Sequence, residues 1–381
     1  MSEGLTRSRA AEQGAPTVIE SALNCRGCTT HSIRLVRASA ADLHPVAPRY
    51  HRCGPGRTCF RRLVGWIDVI SHIDVGCVAG GPRMIDVGAL SRWCVYLAEA
   101  GGDVVRAVVD SGKLNTVDKG AGTGEFDPST EADKRTQALI VGGLRRQFPS
   151  LVVIGEEDQV DSAHVDLPPT LPERYETLEY FAADRWPANL GVRADSQVCV
   201  WVDPVDGTTE LTKGNLESVS VLIGVAVDGS ASFGVIHEPF NGRTLYAAVG
   251  HPDHSQRPAQ PRKRASENVV VTSSSHFDAS LAAYFANLNP QPARIVQAGG
   301  CGHKAVLVID GLADAYLYPR PGTKKWDSCA PDAILRALGG RLTDVYGDDL
   351  RYGADAAHAN RDGIICTLHA DHDLYVLARP Q

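Results

Sequence analysis

The stretch "VCVWVDPVDGTTEL", Val198 to Leu211, limits the fold more than any other part of the chain. Its apolar half reads as a buried strand, and it ends in two acids, Asp203 and Asp206, held apart by Pro204 and Val205. Gly207, Thr208 and Thr209 follow at once and open a helix. A buried strand that delivers acids to the start of a helix belongs to a layered α/β fold.

The alternation continues on both sides. "MIDVGALSRWCVYLAEAGGDVVRAVVDSG" sets Leu90, Trp93, Leu97, Val104, Val105 and Val108 at helical intervals, and "EADKRTQALIVGGLRRQF" does the same with Ala132, Leu139, Ile140, Leu144 and Phe148. "LVVIGEED" reads as a buried strand ending in acids, and residues 159–197 as a Pro-rich surface loop with a helix inside it. "VSVLIGVAVDGSASFGVIHEP" is a hairpin around Asp228-Gly229. Beyond a basic loop, "HSQRPAQPRKR", the strands "VVVTSSS", "AYLYP", "GRLTDV" and "GIICTLH" alternate with the helices "HKAVLVIDGL" and "PDAILRALGG". The pattern predicts an α+β half over 84–265 and an α/β half over 266–381, with the site between them.

Residues 1–83 do not share this pattern. They are rich in Arg, Cys, Gly and Pro without a sustained period, and the only methionine after Met1 is Met84. They are expected to be a poorly ordered extension, so a chain starting at Met84 should keep the activity and thermal stability of the full chain. "CRGC" and "CGPGRTC" offer Cys25, Cys28, Cys53 and Cys59, but their spacing is poor for a zinc finger. The apolar run near Val64 carries Asp68, His72 and Asp74, which argues against a membrane span, and the N-terminus lacks a secretory pattern. A cytoplasmic protein with reduced thiols is expected. The net charge of −7 disfavours a nucleic-acid partner, so any anionic substrate must be met by local cations.

Acids recur at element ends: Asp133 in "STEADK", Glu156 in "GEED", Asp203 and Asp206 in "DPVDGT", and Asp327 in "KKWDSCAPD". Each has a structural reading. Thr130 and Asp133 form a capping box, Glu156 lies in a solvated turn, Asp203-Pro204 stops a strand, and Asp327 caps a helix beginning near Pro331. Together they have a chemical reading. Two magnesium ions about 4 Å apart need several carboxylates and a shared ligand. Asp203 can bridge two ions, with the Val205 carbonyl on the first and Asp206 on the second. Gly207 and Thr208, at a helix start, would seat phosphate and orient a water.

In this order, Asp133, "GEED", "DPVDGT" and "WDSCAP" resemble the lithium-sensitive, magnesium-dependent phosphatase family that includes inositol monophosphatase and fructose-1,6-bisphosphatase. Within it the chain resembles the bisphosphate nucleotidases, through "RRQFPSLVVIGEED", "VWVDPVDGTTE", "GGCGHK" and "GTKKWDSCAP", over nearly all of residues 84–381. The resemblance implies a layered αβαβα sandwich and two to three Mg2+ ions. It implies Glu156, Asp203 and the Val205 carbonyl on the first ion, Asp203, Asp206 and Asp327 on the second, and Glu156 again on a looser third. Asp133 and Thr208 would polarise the attacking water. Ser275, His276, Gly300 and Lys304 would hold the nucleotide, with Lys325 a further basic candidate. The implied protein is a monomer acting on a small nucleotide bisphosphate, inhibited by lithium. Thr209 and His303 depart from the nucleotidase pattern, which leaves inositol phosphates as the competing substrates and a silent nucleotide sensor as the reading of another class.

Overall fold

The computed structural model describes residues 19–23, 31–35, 82–120, 126–157, 166–251, 268–275, 277–368 and 370–377. Ile19–Leu23 (β1) and His31–Leu35 (β2) pair antiparallel within one compact unit, Met1–Gly81. Most of the predicted extension, with its four finger-like cysteines and the apolar run near Val64, lies outside the described residues, as does the basic loop.

The second unit, Pro82–Gln381, holds the remaining elements. Met84–Asp86 (β3) leads into Val87–Asp110 (α1), where the Asp86 carboxylate accepts the Ala89 N–H at 3.0 Å and caps the helix. Val117–Asp118 (β4) and Pro128–Ser129 (β5) pair ahead of Glu131–Gln147 (α2). Then come Val152–Gly155 (β6), the short helix Glu173–Glu176 (α3), Val192–Ala194 (β7), Val198–Asp206 (β8) and Thr208–Lys213 (α4). Ser220–Val227 (β9), Ser230–Glu238 (β10) and Arg243–Ala248 (β11) complete a five-stranded sheet in the order β11-β10-β9-β8-β6. The β9–β10 turn is the predicted hairpin, with Asp228 at φ 51° and Gly229 at φ 74°.

The second sheet is built from Val269–Ser273 (β12), Arg294–Ala298 (β13), Ala315–Tyr318 (β14), Arg341–Thr343 (β15) and Ile364–Thr367 (β16), in the order β13-β12-β14-β16-β15. Ala279–Ala286 (α5), Cys301–Ile309 (α6) and Lys325–Ala337 (α7) are its helices.

Strand periodicity separates the layers. Val221, Ile223, Val225, Phe233 and Val235 share a core with Leu90, Leu97, Ile140 and Leu144 of α1 and α2. Leu222 and Ile236, on the opposite face, join Val306 of α6, Ile334 of α7, and Val269, Val271, Tyr316 and Ile364 of the second sheet. Val270, Leu317 and Ile365 face outward onto Leu281 and Phe285 of α5. The result is the expected sequence of helix, sheet, helix, sheet and helix layers.

Three local expectations are corrected. Residues 166–197 are more than a surface loop, because Tyr175, Tyr180, Phe181 and Leu190 are buried in the first core. β6 is a half-exposed edge strand rather than a buried one. β8 does not stop at Asp203-Pro204: it runs through to Asp206, every residue buried, with an irregular register against β9 between Asp203 and Asp206. No helix among the described residues is long and apolar enough to cross a membrane.

Gly224 and Gly234 lie opposite each other on β9 and β10. A Cβ on Gly234 would come within 2.2 Å of the Ala330 carbonyl oxygen, and one on Gly224 within 2.7 Å of the Ala330 amide nitrogen. The two bare positions let the α7 backbone rest on the sheet, and this carries Asp327 to the end of β8.

Candidate functional site

A cleft of ≈ 210 Å³ brings together Glu156, Asp203, Val205, Asp206, Gly207, Thr208, Ser275, Gly300, Lys304 and Asp327. Asp133 joins them from beneath through Thr208, whose hydroxyl lies 2.9 Å from the Asp133 carboxylate and 2.8 Å from the Val205 carbonyl. His276 lies outside the described residues.

Each acid is fixed by its element. Asp133 is the third residue of α2 and accepts from the Thr130 amide at 2.8 Å and the Thr130 hydroxyl at 2.5 Å, so the capping box and the proximity to Thr208 coexist. Asp327 plays the same part in α7, accepting from the Lys324 amide at 2.6 Å. That helix begins at Lys325 and contains Pro331, so Asp327 does not cap a helix starting at Pro331. Asp206 accepts from the Cys301 and Gly302 amides at 2.6 and 2.8 Å and from the Ser220 hydroxyl at 2.8 Å. It therefore ties the end of β8 to the start of α6.

Glycines allow this closeness. Gly207 and Gly300 have φ 87° and 60°, and a Cβ on either would meet the Ser218 carbonyl oxygen, at 2.7 and 2.4 Å.

The charges are crowded. Burial, then the charges of Glu156, Asp206 and Asp327, holds the Asp203 carboxyl well above the usual range. Burial and the neighbouring charges of Glu156 and Asp206 lift Asp327 to about 7. Burial, opposed by the Thr130 bonds and reinforced by the Glu156 charge, lifts Asp133 to about 7. Glu156 is raised by burial, against the pull of Lys119.

Among the described residues, no three Asp, Glu, His or Cys side chains stand ready to hold an ion. Their oxygens turn to protein donors: Asp206 to α6, and Glu156 to Lys119 at 3.1 Å. The donor set nonetheless fits a hard divalent cation. It consists of mutually repelling carboxylates and a backbone carbonyl, and a cation supplies the counter-charge they lack.

Other residues are placed differently from expectation. Lys325 does not enter the cleft; its ammonium reaches the Asn360 side-chain oxygen at 2.6 Å, and Lys324 lines the cleft instead. Lys304 lines it too, but its ammonium donates to the Gly300 carbonyl and lies 5.1 Å from the Tyr316 ring centre. His303 packs away from the cleft, its Nδ1 3.9 Å from Glu238. Lys119 is the residue that the sequence reading missed: it pairs with both Glu156 and Glu157. Nothing in "VDKGAG" marks it, because its partners lie 37 and 38 positions away.

The model of the Inositol monophosphatase family matches residues 91–376. The human 3'(2'),5'-bisphosphate nucleotidase 1 is 36% identical over 296 residues, covering 75% of this chain and 92% of that protein. A "putative inositol monophosphatase 3" of Drosophila pseudoobscura pseudoobscura is 34% identical, over 77% of this chain and 81% of that protein. Among solved structures, the Thermotoga maritima IMPase shares the fold with a TM-score of 0.54 and 23% identity, over 74% of this chain and 94% of its own.

Proposed function

The chain belongs to the inositol monophosphatase family and is a phosphoric monoester hydrolase, and from that premise we propose that it removes the 3'-phosphate of adenosine 3',5'-bisphosphate, giving AMP and phosphate. The 5'-phosphosulfate analogue is a further substrate in this reading. The observation that carries the hydrolytic step is the buried Asp133–Thr208 contact at the edge of the carboxylate cluster. The similarity to bisphosphate nucleotidase 1 supports the choice of substrate.

Magnesium held by Glu156, Asp203, the Val205 carbonyl, Asp206 and Asp327 would supply positive charge for the phosphate and the leaving ribose oxygen, and would acidify the attacking water. The chain's own residues handle the proton. Thr208 Oγ1 has one hydrogen and two acceptors within reach, Asp133 Oδ1 and the Val205 oxygen. When that hydrogen is given to Asp133, an Oγ1 lone pair is free to accept from the water. The raised proton affinity of Asp133 makes it a competent final acceptor near neutral pH. Gly207, at φ 87°, turns the backbone so that Thr208 begins α4 in the lining of the cleft.

A second reading, an inositol phosphate phosphatase, draws on the Drosophila relative. Phosphate release from adenosine 3',5'-bisphosphate and from inositol 1-phosphate, with magnesium and with or without lithium, separates the two. Turnover of the nucleotide in preference, suppressed by lithium, is expected; release from the inositol phosphate alone would transfer the assignment. With neither substrate turned over, both enzyme readings fail.

A further inference from the structure

Lys324 is a cleft cation that no protein acid claims. It lines the cleft at the N-cap of α7, half-buried, and among the described residues no carboxylate lies within ion-pair distance of its ammonium. Neighbouring cations are committed elsewhere: Lys304 to Gly300, Lys325 to Asn360, Lys119 to Glu156 and Glu157, and Arg320 to Asp278.

The same cleft holds hydroxyl groups as well as acids. Ser273, Ser275, Tyr318 and Thr323 line it together with Lys324 and with Glu156, Asp203, Asp206 and Asp327. Its carboxylates require cations before they can take a phosphate, whereas a lysine and hydroxyl donors need none. A substrate with two phosphates can use both sets of groups.

We propose that Lys324 is a specificity residue that receives the non-reacting 5'-phosphate of a nucleoside 3',5'-bisphosphate. The assignment rests on the nucleotidase reading above and adds the residue that distinguishes a bisphosphate from a monophosphate.

The test compares kcat/KM for adenosine 3',5'-bisphosphate and adenosine 3'-phosphate in the wild type, Lys324→Met and Lys324→Arg, each checked for an unchanged melting curve. Loss of one charge-assisted contact lowers the preference for the bisphosphate about 10- to 100-fold in Lys324→Met, through KM rather than kcat. Lys324→Arg restores most of it, and inhibition by AMP, which keeps the 5'-phosphate, weakens in parallel in Lys324→Met. Equal loss on both substrates, or an undiminished preference, would overturn the assignment alone. A wild type that hydrolyses inositol 1-phosphate and neither nucleotide would overturn the nucleotidase reading, and this assignment with it.

Discussion

Asp203→Asn lowers kcat/KM by about a thousandfold or more, and at the same time stabilises the metal-free protein at neutral pH. Both effects follow from its place among Glu156, Asp206 and Asp327. The substitution removes the central carboxylate of the proposed magnesium site, and it also removes an acid whose ionisation burial and its neighbours oppose. The raised carboxyls make a second observable. Asp133 and Asp327 bind protons up to about pH 7 in the folded chain, but only up to about pH 4 when unfolded. Between those limits the folded state holds more protons, so stability falls as pH rises from about 4 to about 7. Magnesium should reverse the loss at the upper end. Thermal melts of wild type and Asp203→Asn across this range, with magnesium and with chelator, provide the check. A wild type whose metal-free stability rises with pH through the window would contradict the crowded-carboxylate account, and near-normal turnover by Asp203→Asn would exclude Asp203 from the metal site.

Asp133→Asn lowers kcat by about 10²- to 10⁴-fold, with a smaller change in KM. Thr208→Ala has a loss of similar order, and the double variant is not much worse than either single one. The reason is that the hydroxyl and the carboxylate form one proton path, at 2.9 Å, and either break disables it. Losses that multiply in the double variant would show that the two residues act independently. Asp133→Asn also disturbs the capping box of α2, so its melting curve must accompany the kinetics.

The layered fold was legible in the sequence because apolar runs of strand length alternate with helical patterns. Val221, Ile223 and Val225 face one core and Leu222 faces the other. The insertion over 159–197 was harder to read. Its aromatic residues lie among prolines and polar residues without a period, yet Tyr180 and Phe181 are buried. β8 was misread for a related reason: proline normally ends a strand, but here the register against β9 shifts between Asp203 and Asp206 and the strand continues.

The local sequence by itself determined that Asp133 caps α2 and which runs are apolar enough to become buried strands. These are short-range properties of spacing and side-chain type. Tertiary structure alone decided that Asp206 ties β8 to α6, that Lys119 covers Glu156, and that Lys324 rather than Lys325 lines the cleft. Such pairings depend on distances between residues far apart in the chain and on the rotation of one helix. Here the rotation is set by α7 resting on Gly224 and Gly234, where a single Cβ would clash with Ala330.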